Sequence, residues 1–237
     1  MEYNGYDDGN RRAFTLLEIL AVIALIAILG TLSYGALHDS VERAQQIRCA
    51  GNLQQLGTAL AFYMQDHDGR IPRRGQGVQP VVIINRPDDW FNCLPPYLGQ
   101  QSYQDLVTAN RAPKAGDKSV FVCPSAVDLG KPYFLAYGMN MYLSPWIRPD
   151  MHHLREIPHP YQLAFLADGP GGWSSTLPSN QAYSVLARHH GCANILFVDA
   201  HVQSFSGSYL GCQVGNSTLP DVRWDTETDG VNQTHMP

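Results

Sequence analysis

No Gly-rich phosphate loop occurs in these 237 residues, and no serine stands at a recognisable strand–helix elbow with a histidine and an acid to match. Those gaps leave nucleotide hydrolysis and acyl transfer without their usual machinery. His-x-His, His-Glu-x-x-His and CxxC units are also missing, which removes the common short-range zinc sites. Basic residues are few, 16 Lys and Arg against 21 Asp and Glu, for a formal net charge of −5. Nucleic-acid binding draws on clustered Lys and Arg, so no nucleic-acid partner is expected. Gly75-Gln76-Gly77 after Arg73-Arg74 is read as a turn. The deepest local deficit is of charge itself: between Arg12 and Asp39 the only formal charge is Glu18.

What fills that interval is apolar. The stretch from Phe14 to Leu37 would span about 36 Å as a helix, enough for a bilayer core of ~30 Å with some tilt. A Sec-type signal peptide fits poorly, because the basic pair Arg11-Arg12 follows an acidic leader and the apolar run continues into a helix. Arg11 and Arg12 place the N-terminus on the cytoplasmic side by the positive-inside rule, with the rest extracytoplasmic. Five cysteines (Cys49, Cys93, Cys123, Cys192, Cys212) then lie where disulfides form. Five is odd, so at least one thiol is free or pairs between chains, and the connectivity stays open. A carboxylate in hydrocarbon costs about 2.5–3.5 kcal/mol or more, so Glu18 needs a neutralising partner.

Arg11-Arg12-Ala13 followed by Phe14-Thr15-Leu16-Leu17-Glu18 and aliphatics resembles the cleavage and methylation signal of type IV prepilins and type II secretion pseudopilins. The resemblance implies a prepilin peptidase that cuts after Ala13 and methylates the new amine of Phe14. It also implies that Glu18, fifth from the cut, pairs with the terminal amine of a neighbouring subunit. One departure is Ala13, where the family usually has glycine.

Val41 to Met64 holds no proline, and Cys49, Leu53, Leu56, Leu60 and Tyr63 recur at helical spacing, so the helix is expected to continue and lay this stripe on a sheet. Glu42, Arg43, Gln45, Gln54 and Gln55 form its other side. Gly30 and Gly35 weaken it locally by about 1 kcal/mol each. Gly69 suits a left-handed cap after Asp66-His67-Asp68, and Pro72 prevents continuation. A strand or an inserted edge hairpin is expected at Pro80–Ile84 and short strands at Val120–Val122, Leu163–Ala167 and Ala193–Val198, with Val202–Phe205 returning antiparallel after a tight turn. The two long apolar runs among them read as central strands covered on one side by the helix. Gly171–Asn180 reads as a loop and Asn216–Pro237 as a mobile tail.

From Cys49 through Tyr63, Asp66, Gly69 and Pro72, the chain resembles a pilin-like family of planctomycete and verrucomicrobial type with a late His-x9-Asp-Gly segment. Trp90, Pro96-Tyr97-Leu98-Gly99, Cys123-Pro124-Ser125, Tyr137-Gly138-Met139-Asn140, and His189 with Asp199 and His201 match it in order. Ala200 stands where that family usually has glycine; in a left-handed turn it would be strained by ~1 kcal/mol or more.

Two strands ending in Asp168 and Asp199, near His189, His190 and His201, also admit a membrane-anchored metal-dependent enzyme, although an Asp after a strand more often closes a turn. Calcium is considered at the tail (Asp225, Glu227, Asp229) and at Asp66-His67-Asp68; neither fits a twelve-residue calcium loop, so no other cofactor is expected. Trp90, Tyr97, Trp146, Trp173 and Trp224 could line a recognition surface at a filament tip, but aromatics in such a head more often fill its core.

The resulting expectation is an α+β, pilin-like protein. Residues 1–13 are a leader, 14–37 a transmembrane and filament-core helix, 38–65 a helix packed on the head, and 66–237 an extracytoplasmic head on a small antiparallel sheet. It would be a structural subunit rather than an enzyme. Its partners would be prepilin peptidase, other pilin-like subunits, an inner-membrane assembly platform and the lipid bilayer. A minor tip subunit that binds cargo is the remaining alternative.

Overall fold

The computed structural model describes residues 15–76, 79–143, 153–214 and 221–224. Its first element, α1 (Leu16–Asp66), runs unbroken through Gly30 and Gly35, with no proline to interrupt it. Two compact units divide the chain, residues 1–41 and 42–237. In the first, every described side chain from Leu16 to Val41 is exposed. This segment makes α1 long and apolar enough to cross a membrane.

In the second unit α1 buries the expected stripe: Cys49, Leu53, Leu56, Leu60 and Tyr63 are all in the core, joined by Ala59. Gln54 and Gln55 remain exposed. Gly57 sits where the helix comes closest to the sheet. A Cβ there would lie 2.7 Å from Leu196 Cδ1 and 2.9 Å from the Ala200 carbonyl oxygen. The helix ends in a left-handed turn with Asp68 at φ 54° and Gly69 at φ 77°, and the Gly69 amide returns to the Met64 carbonyl. Tyr97 Oη donates to Asp66 Oδ2 at 3.1 Å, fastening the helix end to the next segment.

After α1 come α2 (Trp90–Cys93), a 3-10 turn over Pro95–Leu98 and α3 (Tyr103–Thr108). Ser102 caps α3 by accepting from the Asp105 amide. The strands are β1 (Tyr137–Asn140), β2 (Ala164–Asp168), β3 (Ser175–Thr176), β4 (Cys192–Phe197) and β5 (Val202–Ser206), with a last turn of helix, α4 (Gly207–Leu210). They form one sheet in the order β3-β1-β2-β4-β5. β1–β2, β2–β4 and β4–β5 are antiparallel, as expected for such a head. The edge pair β1–β3 is parallel, so the sheet is mixed.

Several expectations are corrected here. Val81–Ile84 is not a strand, because side chains replace a partner strand: Gln76 Oε1 accepts from the Val82 and Ile83 amides, and Asn92 Nδ2 donates to the Ile84 carbonyl. Val120–Val122 is a turn, its Phe121 carbonyl accepting from the Ala136 amide and its end held by the helix. Asn52 Nδ2 donates to Ser119 O and Val122 O, and the Val122 amide closes back on Ser119. Gly171–Asn180 is no solvated loop. Residues 171–179 are buried, the segment contributes β3, and Ser174 O accepts from both the Met139 amide and Trp90 Nε1.

The central strands are covered on both faces, and the helix supplies one of them, as expected. The helix stripe meets Phe165, Leu166, Leu196 and Val198 on one side. Ala164, Ala167, Ile195 and Phe197 meet Leu177, Val185, Leu210, Val222 and Trp224 on the other. That second layer is supplied by segments with little regular structure, which carry no periodic signal in the sequence.

Candidate functional site

The start of α1 is built as a reciprocal cap. Glu18 Oε2 accepts from the Thr15 amide at 2.8 Å and from Thr15 Oγ1 at 2.9 Å, while Thr15 Oγ1 accepts from the Glu18 amide at 3.2 Å. This is the Thr-x-x-Glu capping box, which satisfies two of the donors left open at a helix start. The spacing is visible in the sequence and gives Glu18 a local role beside the pairing role expected of it. Beyond the cap, Leu16, Leu20, Ile23, Leu25, Ile26 and Leu29 are each more than half exposed, on all sides of the helix. Among the described residues of this unit nothing packs against them. The processing pair Ala13 and Phe14 lies outside the described residues.

The residues matched to the late-His family fall into three groups. Asp66, Gly69 and Pro72 form the helix end, where Asp68 lies 3.8 Å from Arg155 Nη2 and 3.9 Å from His153 Nε2. At that end Asp66 is engaged by Tyr97 and Asp68 faces Arg155 and His153. Trp90 is solvent-free and packs edge-on against Phe91; Trp173 and Trp224 are buried too. Of the aromatic set, Trp146 lies outside the described residues, as do Asp225, Glu227 and Asp229.

The second group is the β4–β5 turn. Asp199 Oδ1 pairs with His201 Nδ1 at 2.6 Å and accepts from the His201 amide at 3.2 Å. The His201 ring stacks on Phe197 with centroids 4.3 Å apart. Ala200 takes φ 74°, so the left-handed turn is present and alanine occupies it. His201 and Asp199 are partly exposed and close a turn.

The third group surrounds a disulfide, Cys49–Cys123, which ties the helix to the Cys-Pro corner across 74 residues of sequence. Pro124 follows that corner, and Ser125 Oγ donates to Gln45 Oε1 at 3.0 Å. His189 pairs with Asp168 rather than with Asp199: His189 Nε2 lies 3.4 Å from Asp168 Oδ2. The same oxygen accepts from the Asn194 amide at 2.7 Å. Arg188 lies nearby; burial depresses its guanidinium, while the charge of Asp168 opposes the shift. Tyr137 Oη donates to the Cys49 carbonyl at 3.2 Å, and burial raises its phenol. The five His and Asp residues read as a possible hydrolase set therefore split between a surface turn and a sealed interior, with His190 at a third place beside Glu42 at 3.2 Å.

Residues 8–34 match the model of the prokaryotic N-terminal methylation motif. Type II secretion system core protein G of Pectobacterium carotovorum is 32% identical over 78 residues, 33% of this chain and 49% of that protein. The ComG operon protein 3 homolog of Bacillus licheniformis is 30% identical over 67 residues, 28% of this chain and 69% of that protein. Type II secretion system core protein G of Escherichia coli K12 is 28% identical over 114 residues, 48% and 73% respectively. Against the Pectobacterium relative the chain spans about half that protein's length. No solved structure matches the chain. With a methylation motif laid over a capped, wholly exposed apolar helix, and a packed half that continues it into an α+β head, the chain belongs to the pilin-like proteins.

Proposed function

We propose that this protein is a structural subunit of a type II secretion or type IV pilus-like filament, drawn from the inner membrane after prepilin peptidase cuts between Ala13 and Phe14 and methylates Phe14. One observation carries the reading: the Leu16–Leu37 segment exposes its apolar side chains all round and carries one carboxylate, Glu18, at its start. An isolated helix of that kind needs lipid before assembly and other helices after it. In the bundle Glu18 exchanges its Thr15 contacts for the Phe14 amine of a neighbour. Opposite charges attract strongly at low dielectric, and an unpaired buried carboxylate is costly, so the pair selects one register. The cytoplasmic N-terminus and extracytoplasmic head follow from Arg11 and Arg12. The assembly platform and fellow subunits are the partners this role requires.

Mass spectrometry of the membrane form tests the reading. A chain beginning at N-methyl-Phe14 is the expected result; an intact Met1 in the filament fraction would overturn it.

A further inference from the structure

The disulfide sits in a polar setting. His189 Nε2 stands 3.5 Å from Cys123 Sγ, and ligand atoms of Cys49, Cys123 and His189 all lie within 4.8 Å of one another. On the same imidazole nitrogen, Asp168 Oδ2 approaches to 3.4 Å. All four residues are 2% exposed or less. Asp168 Oδ1, His189 Nδ1 and Asn194 Nδ2 are buried with no hydrogen-bond partner among the described residues. Buried polar atoms left open in this way are costly unless something joins them.

The separations have a meaning in coordination chemistry. In a tetrahedral zinc site, bonds of about 2.3 Å to sulfur and about 2.0–2.1 Å to nitrogen and oxygen place neighbouring S and N ligands roughly 3.5 Å apart and N and O ligands roughly 3.4 Å apart. The Cys123–His189 and His189–Asp168 distances already have these values. The sulfurs, bonded at about 2.0 Å in any disulfide, would need to part to about 3.8 Å, and the Asp168 carboxylate, which lies outside the close group of three ligand atoms, would need to close on them. No short motif announces the set, because its members come from α1, the Cys-Pro corner, the end of β2 and the segment before β4.

We propose that in the reduced chain Cys49, Cys123, His189 and Asp168 bind one zinc-class divalent cation. A dithiol reductant would supply two electrons and two protons to the disulfide and leave as its own disulfide. The metal then displaces the two thiol protons to solvent and is held by two thiolates, the neutral imidazole and the carboxylate, two soft and two borderline-to-hard donors whose three negative charges leave the site with a net charge of −1. Thiolate ligation favours zinc over calcium or magnesium. The helix is thus latched to the head by a covalent bond where thiols oxidise and by a metal centre where they stay reduced.

The test uses the full chain in detergent micelles, reduced with a phosphine and titrated with Co2+ as a spectroscopic stand-in for zinc. One equivalent should produce tetrahedral ligand-field bands and thiolate-to-cobalt charge transfer, both bleached by added Zn2+, while the oxidised chain gives neither. His189→Ala and Asp168→Asn should each weaken binding by about tenfold or more, with circular dichroism reporting whether each variant is folded. On the unaltered reduced chain, Zn2+ should slow alkylation of Cys49 and Cys123 and leave Cys93, Cys192 and Cys212 unchanged. Absence of charge transfer in the reduced chain, equal protection of all five thiols, or the same cobalt spectrum from a Cys49→Ser/Cys123→Ser chain would each overturn the proposal.

Discussion

Leu16–Leu37 and Cys49–Tyr63 belong to one continuous helix and both are rich in leucine and alanine, yet they meet opposite surroundings. The first exposes every described side chain; the second buries a stripe and exposes Gln54, Gln55, Thr58, Ala61 and Phe62. Helix propensity is the same argument for both, so it cannot explain the difference. Pattern does: apolar residues all round require an apolar medium from outside the chain, whereas a stripe interrupted by Gln54, Gln55 and Thr58 is matched by the chain's own sheet. The helix therefore carries two instructions, one addressed to lipid and neighbours, the other to its own head.

The largest expected effect falls on the first instruction. Glu18→Ala should leave membrane insertion intact and remove the subunit from filaments, read by comparing membrane and sheared-filament fractions; normal incorporation would end the registry role of Glu18. The second instruction is tested by paired truncations. Leu56→Ala should cost about 2–5 kcal/mol in head stability, while Leu25→Ala should change it by no more than about 0.5 kcal/mol. Denaturant unfolding followed through buried Trp90 measures both, and equal losses would break the contrast between the two halves.

A smaller effect concerns charge inside the head. Asp89 is solvent-free, neither of its carboxylate oxygens has a hydrogen-bond partner among the described residues, and burial pushes its carboxyl up to about 6 against the pull of Arg86 and Arg73. A raised carboxyl binds its proton more tightly in the folded than in the unfolded state. Its contribution to stability is full below the unfolded value near 4 and is lost as pH rises through about 6. Asp89→Asn should therefore gain about 3 kcal/mol over the native chain at pH 7.5 and nothing below pH 4. A gain independent of pH would assign it to packing. The smallest effect is at the β4–β5 turn, where Ala200→Gly should stabilise by about 0.5–1 kcal/mol by relieving the left-handed alanine, raising Tm by about 2 °C in a calorimeter.

Much of this architecture is legible in the residues. The charge-free interval marks the anchor, the 4-3-4-3 spacing from Cys49 to Tyr63 marks the packed face, and the apolar runs mark β2 and β4. Gly69 announces the left-handed helix end that the structure shows. What is not legible depends on partners distant in sequence. β1 is a Tyr-Gly-Met-Asn tetrapeptide of weak strand character, held because Gly138 admits β3 within 3 Å of where a Cβ would be and because Asn140 Nδ2 donates to Ala164 O and Trp224 O. β3 hides in a Gly- and Ser-rich segment for the same reason. Val120–Val122 has strand composition, but Asn52 of the helix takes the carbonyls of Ser119 and Val122 on either side of Phe121. In the interior, the sequence spacing His189-x9-Asp199 suggests one pairing and the fold makes another, because Asp168 on the adjacent strand points to the same place.

Gly57 has a consequence in time. Its contacts, Leu196 and Ala200, are made some 140 residues later than the helix that needs them. At a synthesis rate of about 5–20 residues per second, the apolar stripe waits on the order of ten seconds for the strands that cover it. Cys123 emerges well before β4, so the Cys49–Cys123 bond could tether the waiting helix to the first part of the head. Chains truncated just before Cys192 and trapped by rapid alkylation should already carry that disulfide; if it appears only in chains that extend past Ser206, the bond records a finished fold rather than guiding one.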